Sequence, residues 1–223
     1  MNYKDILKSE YFKTVYTEIE ELKKDFCVNH GFIHVYKVIE NAQYLAEIFQ
    51  LSSKQKELLL IASALHDIGY LKGRDHHAEN GSMLAREYLK DKVCNEDVEI
   101  ICRAIARHGG KDESDYIDPV SLCLILADKF DFSKQRYKKD QNEPLINVFL
   151  SIEKVLLGKI DDDKFDLQIY TTDKSYFVDL TNDYFFNKLN KVLDKVRNAC
   201  GYNINIKILD ADVMENHVKS FKI

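Results

Sequence analysis

The sequence predicts a mainly α-helical bundle with a small α+β unit at its C-terminal end. Three observations carry that expectation. Apolar residues recur at helical spacing up to about Leu157. The pattern switches to alternation of apolar and polar residues after Gly158. Only two prolines and eight glycines interrupt the 223 residues, which leaves little room for linkers. The expected division is residues 1–158 as the helical core and 159–223 as a strand–strand–helix–strand unit.

The first long amphipathic segment runs through Ile33, Val35, Val38, Ile39, Ala42, Leu45, Ala46 and Phe49, with Gly31 as a break before it. Leu51-Ser52-Ser53 closes it and supplies the N-cap of the next helix, Lys54 to His66, with Gly69 as its stop. Further helices are expected at 77–90, 96–107 and 119–132. Pro119 behind Asp118 marks the start of the last of these. Another helix is expected from Pro144 to Leu157. Asp161-Asp162-Asp163 reads as a solvated turn. Strands are expected at Phe165–Tyr170 and Tyr176–Leu180 with a turn over 171–174, then a helix from Asp183 to Ala199 and a strand from Tyr202 to Ile208. No internal repeat or low-complexity tract is present.

Hydrophobic content of 45% with 31% charged residues is ordinary for a globular protein, and a formal charge of −5 argues against a nucleic-acid backbone binder. A local basic pocket for a phosphorylated small molecule is compatible with that balance. The run Lys134-Gln135-Arg136-Tyr137-Lys138-Lys139 reads as a solvated face. The five cysteines, Cys27, Cys94, Cys102, Cys123 and Cys200, form no Cys-x-x-Cys and read as buried free thiols of a reducing compartment. No signal peptide or membrane-spanning run is recognised, so the expected location is cytoplasmic.

The chemistry lies in a set of histidines and aspartates at helix ends. His66-Asp67 follows the apolar run ending at Leu65. Adjacent helical residues point about 100° apart, so both reach one ion only where the helix stops, as Gly69 suggests. Alone, the pair also fits a capping Asp beside a surface His. His34 sits among Val35, Val38 and Ala42, where a lone His is ordinarily a core residue. Asp128, in Leu126-Ala127-Asp128-Lys129, is costly to bury unless paired or bound to an ion, and a helix-face ion pair with Lys129 is the plain alternative. His77 and His108 stand at helix ends, with His76 as alternate for His77; surface histidines are the plain reading of both. His30 forms His-x-x-x-His with His34, but Asn29 and Gly31 argue that no helix has begun there, which leaves His30 as an outer-site or structural residue. Imidazole and carboxylate together suit a hard or borderline divalent ion. His217 has no partner nearby in the chain.

Taken in order, His34, His66-Asp67, His108 and Asp128 resemble the motifs of the HD-domain superfamily of metal-dependent phosphohydrolases, over roughly residues 25 to 135. The run His34 to Ala42 looks like that family's first motif, and Asp128-Lys129 like its last. The resemblance implies a helical bundle gathering His34, His66, Asp67 and Asp128 around a metal. His77 and His108 complete a second site in two-metal members, with Asp67 bridging. It implies one or two divalent ions (Mn, Fe, Ni, Co, Mg or Zn), with Asp67 and His66 catalytic. Lys72, Arg74, Arg107 and Lys129 are candidates for binding substrate phosphates.

The implied substrate is a nucleotide or another small phosphorylated metabolite. No nucleic-acid polymer or membrane partner is expected, and self-association into a homo-oligomer stays open. Tyr70 stands where the cyclic-dinucleotide branch has Lys, and the Gly-Tyr-Pro signature is missing, which disfavours that substrate. No residue set marks a guanosine-tetraphosphate hydrolase or a dNTP triphosphohydrolase. Two other classes stay open: a non-catalytic metal- or nucleotide-binding sensor, and an HD-fold oxygenase or lyase.

Overall fold

The computed structural model describes residues 1–22, 28–109, 117–132, 134–136, 144–177 and 184–213. The chain divides into two compact units, Met1–Asp131 and Phe132–Ile223. This division precedes the 158/159 boundary expected from the sequence, so residues 132–158 fall with the C-terminal unit.

The first unit is helical. It comprises α1 (Tyr3–Lys8), α2 (Glu10–Leu22), α3 (Phe32–Ile48), α4 (Ser53–Leu65), a 3-10 turn (Ile68–Lys72), α5 (His77–Leu89), α6 (Asn95–Arg107) and α7 (Pro119–Lys129). The centre of the unit is α4, which packs against α1, α3, α6 and α7. Every residue from Leu58 to Leu65 is buried, so no polar stripe is left on its second half. A capping box starts this helix: the Ser52 hydroxyl accepts from the Gln55 amide, and the Gln55 side chain accepts from the Ser52 amide. In α7, Val120 to Asp128 are all buried, and Asp118 caps the start through the Ser121 amide with Pro119 in the first turn. The helix stops at Lys129 rather than at residue 132. The Phe130 amide still bonds the Leu126 carbonyl, but Asp131 leaves the spiral.

Gly69 does more than end a helix. A Cβ there would stand 1.9 Å from the His77 carbonyl oxygen and 2.4 Å from the Gly81 amide nitrogen. The 3-10 turn therefore packs backbone to backbone on the first turn of α5, and only glycine permits the approach.

The second unit contains α8 (Pro144–Ser151), β1 (Ile152–Lys159), β2 (Lys164–Thr171), a 3-10 turn (Lys174–Phe177), α9 (Tyr184–Cys200) and β3 (Asn203–Asp210). The sheet order is β1-β2-β3, with β1 antiparallel and β3 parallel to β2. The expected helix to Leu157 is corrected here: it ends at Ser151, and Ile152 onward is strand. Ile152, Val155 and Leu156 fit both periods, and pairing along β2 decides the outcome. At the switch, the Ser151 hydroxyl donates to the Val148 carbonyl, while its own carbonyl accepts from the Thr172 amide. The expected strand at Tyr176 is also corrected. Asp173 accepts from the Ser175 amide and starts a 3-10 turn through Phe177; residues 178–180 lie outside the described residues. The acidic loop 161–163 is exposed as expected.

Of the cysteines, Cys102 and Cys123 are buried, but Cys94 is exposed and Cys200 half-buried, against the expectation for both; Cys27 lies outside the described residues. Cys94 is exposed because it is the N-cap of α6 and stands ahead of that helix's buried face. In the basic run, Arg136 is buried rather than solvated, and residues 137–139 lie outside the described residues, as does His217. Among the described residues, no helix is long and apolar enough to cross a membrane.

Replacing Gly69 with alanine is expected to separate the turn from α5. Overpacking against rigid backbone should cost about 1–3 kcal/mol. The thermal midpoint should fall by several degrees in calorimetry. An unchanged midpoint would mean that the turn and α5 are not in this contact.

Candidate metal centre

Five helix ends supply the site. His34 lies in the first turn of α3, His66 is the C-cap of α4, His77 opens α5, His108 is the C-cap of α6, and Asp128 is the second-last residue of α7. Three of these are C-terminal ends, whose carbonyl dipoles favour a cation. The end of α4 is pinned by Tyr16, fully buried, whose hydroxyl donates to the Ala64 carbonyl at 3.0 Å. Asn41 of α3 similarly holds the Ala127 carbonyl of α7 at 3.0 Å, next to Asp128.

Asp67 stands at the middle, and its two oxygens face two groups of donors. On one side are Asp67 Oδ2, His34 Nε2, His66 Nε2 and Asp128 Oδ1. Oδ2 lies 3.4 Å from His34 and 3.3 Å from His66; His34 Nε2 is 3.2 Å from His66 Nε2 and 3.2 Å from Asp128 Oδ1. On the other side, Asp67 Oδ1 lies 3.4 Å from His108 Nε2 and 3.9 Å from His77 Nε2, which are 3.2 Å apart. Donors held at about 2.1 Å by one ion stand roughly 3.0–3.4 Å from one another. All but the longest of these separations are of that order. His34, His66, Asp67, His108 and Asp128 are buried, and the His77 side chain is 22% exposed.

The far nitrogen of each ring fixes its proton. His66 Nδ1 faces the Ser63 carbonyl at 2.8 Å, His77 Nδ1 the Arg74 carbonyl at 2.9 Å, and His108 Nδ1 the Ile105 carbonyl at 2.6 Å. His34 Nδ1 faces the fully buried Asp131 carboxylate at 2.7 Å. A carbonyl or carboxylate oxygen only accepts, so Nδ1 carries a hydrogen in each ring and Nε2 is the atom left to take a proton or a metal ion. Four such nitrogens converge, His34 on His66 and His77 on His108. Bare lone pairs 3.2 Å apart repel, and a cation between them removes the repulsion. This is also the outer-sphere pattern that orients metal-binding histidines.

Charge follows the same geometry. Burial pushes the Asp67 carboxyl up, but His66, His30 and His108 beside it hold it well below the usual carboxylate range. Burial likewise pushes His66 down, yet the charges of Asp67 and Asp128 and the Ser63 carbonyl leave it raised. His77 is lowered, chiefly by burial, with Asp67 opposing.

All six expected donors, His34, His66, Asp67, His77, His108 and Asp128, are thus brought together. Triplets drawn from five of them, with His30 besides, lie close enough to hold a metal ion. Among the described residues His76 takes no part: it adopts a left-handed backbone, and its exposed ring lies 4.0 Å from Glu79. His30 precedes its helix, as expected, and lies at the outer side of the site, with its Nδ1 2.8 Å from Asp67 Oδ2. Asp131, Tyr16 and Tyr70 belong to the surroundings and escaped the sequence reading. The only signal for Asp131 was an acidic residue three places after Asp128. Among the candidate cations, Lys129 pairs with Asp128, and Arg107 lies 3.5 Å from Asp118. Lys72 and Arg74 are exposed on the approach to α5.

Residues 31–133 match the family model of the HD domain. The matched segment contains all six residues of the donor set, whose buried histidine and aspartate groups could hold a metal ion. No curated protein matches the sequence. Among solved structures, the chain is similar to a predicted HD superfamily hydrolase from an uncultured Thermotogales bacterium. That similarity has 22% identity and a TM-score of 0.41 over 62% of this chain and 86% of that one.

Asp67→Ala is expected to remove tight metal binding while leaving the helical signal in circular dichroism intact, because α4 is anchored by its apolar residues. Full metal content in a folded variant would contradict the arrangement. Asp131→Ala should weaken binding of the metal next to His34 by about 10–100-fold, as loss of an outer-sphere carboxylate does elsewhere. Titration calorimetry with Mn²⁺ reads this directly.

Proposed function

We propose that the chain is a metal-dependent phosphohydrolase acting on a small phosphorylated substrate, a nucleotide or related metabolite, with two divalent ions bridged by Asp67. The observation that supports it best is the convergence of four imidazole Nε2 atoms on the two oxygens of one buried carboxylate. Hard or borderline ions such as Mn²⁺, Fe²⁺, Co²⁺, Ni²⁺, Mg²⁺ or Zn²⁺ suit that donor set. When bound, such ions supply Lewis acidity and a nucleophilic water near neutral pH.

The protein's own part is to position and to neutralise. His34, His66 and Asp128 hold one side, and His77 and His108 the other. The buried helix ends keep bulk water from the donors. Lys72, Arg74, Arg107 and Lys129 are assigned to the substrate's phosphate oxygens, where cations stabilise developing charge. Arg107 immediately precedes His108, and the Arg74 carbonyl holds His77. This closeness in the chain to His77 and His108 is what supports assigning the two cations to the substrate.

The test is a panel of nucleotides and sugar phosphates assayed with each of the six metals, with metal content measured in parallel. Turnover that a chelator abolishes, with about two ions per chain, is expected. His77→Ala combined with His108→Ala should lower the content to about one ion and remove most of the activity. Saturation at one ion with excess Mn²⁺ or Fe²⁺ would end the two-ion form. Metal binding with no turnover would instead indicate a sensor, and iron-dependent O₂ consumption an oxygenase.

A further inference from the structure

Tyr70, on the 3-10 turn and only 5% exposed, lies between two rings of the site. Its ring stacks on His30 with centroids 4.2 Å apart and planes at 29°, and on His77 at 4.4 Å and 28°. Its hydroxyl oxygen is 3.2 Å from His30 Nε2, while His30 Nδ1 is 2.8 Å from Asp67 Oδ2. Asp67 Oδ2 is the oxygen that faces His34 and His66.

The direction of these bonds follows from the groups. The ionised Asp67 carboxylate only accepts, so His30 Nδ1 carries the hydrogen; Nε2 of the neutral ring is then an acceptor, and the Tyr70 hydroxyl donates to it. The result is a line of donors, Tyr70 to His30 to Asp67, ending on the central carboxylate. A carboxylate oxygen has two lone-pair directions. One taken by His30 leaves the other toward His34 and His66, and the rotation of the group is fixed. Oδ1 is thereby turned to His77 and His108. The same phenol ring rests on His77, so one side chain touches both halves of the donor set.

We infer that Tyr70 and His30 are positioning residues that hold Asp67 in its bridging orientation, the Tyr70 hydroxyl acting through His30. This rests on the metal-centre reading above and assigns no catalytic step to either residue. Ligating carboxylates in other sites are held in this way by outer hydrogen bonds.

Co²⁺ binding to the full chain tests it, followed by calorimetry and by the visible absorption of the bound ion. The variants are Tyr70→Phe, His30→Ala and the double change. Tyr70→Phe keeps the ring and its stacking, so the metal-free protein should stay folded, with its thermal midpoint lowered by no more than the few degrees that one lost hydrogen bond costs. Affinity should nevertheless fall about 10-fold, and His30→Ala should lower it by about 10–100-fold. Both should shift the Co²⁺ absorption while ion content at saturation is retained. The double variant should bind no more weakly than His30→Ala, because the hydroxyl acts through the imidazole.

Wild-type affinity and spectrum in Tyr70→Phe would overturn the inference, as would additive losses in the double variant. Loss of one ion per chain in His30→Ala with a silent Tyr70→Phe would make His30 a ligand instead, which also overturns it. Failure of the wild-type protein to bind Co²⁺ would take the metal centre down as well.

Discussion

A buried carboxylate among histidines is the constraint on which the helical unit is organised. Asp67 is 2% exposed, and an isolated ion so far from water would be protonated rather than charged. It stays ionised because His66, His30 and His108 surround it, and those rings can be there only if several helices end within a few ångströms of one another. The packing of α3, α4, α6 and α7 therefore answers to electrostatics as well as to apolar burial. The apolar residues before each donor supply the rigidity, and the helix ends supply the aim.

The breaks are where specificity enters. Asp67 leaves helical geometry at φ −99° and ψ 3°, which swings its carboxylate away from the direction that a continued α4 would impose. Gly69 then allows the turn to lie against α5, which brings His77 to the opposite side of Asp67. Three imidazoles find their anchoring carbonyl three residues earlier in their own chain segment. Ring orientation is thus a local property of each end, and only the meeting of the ends is a tertiary one.

That division explains what the sequence could reveal. Helix-end donors with apolar approaches were legible because period and ligand chemistry are both local, and all six, from His34 to Asp128, meet in the fold. The cap at Asp118-Pro119 and the stop near Gly69 were legible for the same reason. Asp131, Tyr16 and Tyr70 were not, since each acts through a partner between 48 and 97 residues away or across a ring stack. In the second unit, Ile152 to Leu157 carry residues compatible with either period, and a neighbouring strand decides between them. Tyr176 alternates correctly for a strand but follows Asp173, whose carboxylate starts a turn.

The mixed sheet has a consequence for how the second unit comes together. β1 and β2 are joined by a tight connection through 160–163, so their antiparallel pairing is local and closes at once. β3 lies parallel to β2, and a parallel neighbour needs a long crossover, here one that includes all of α9. Its loop-closure entropy is met only when α9 brings Leu189, Val192, Leu193 and Val196 into the buried interior. Contact separation therefore favours the hairpin closing before the third strand is added. Before β3 docks, one edge of β2 has unpaired backbone along Lys164–Thr171, a stretch open to pairing with another chain.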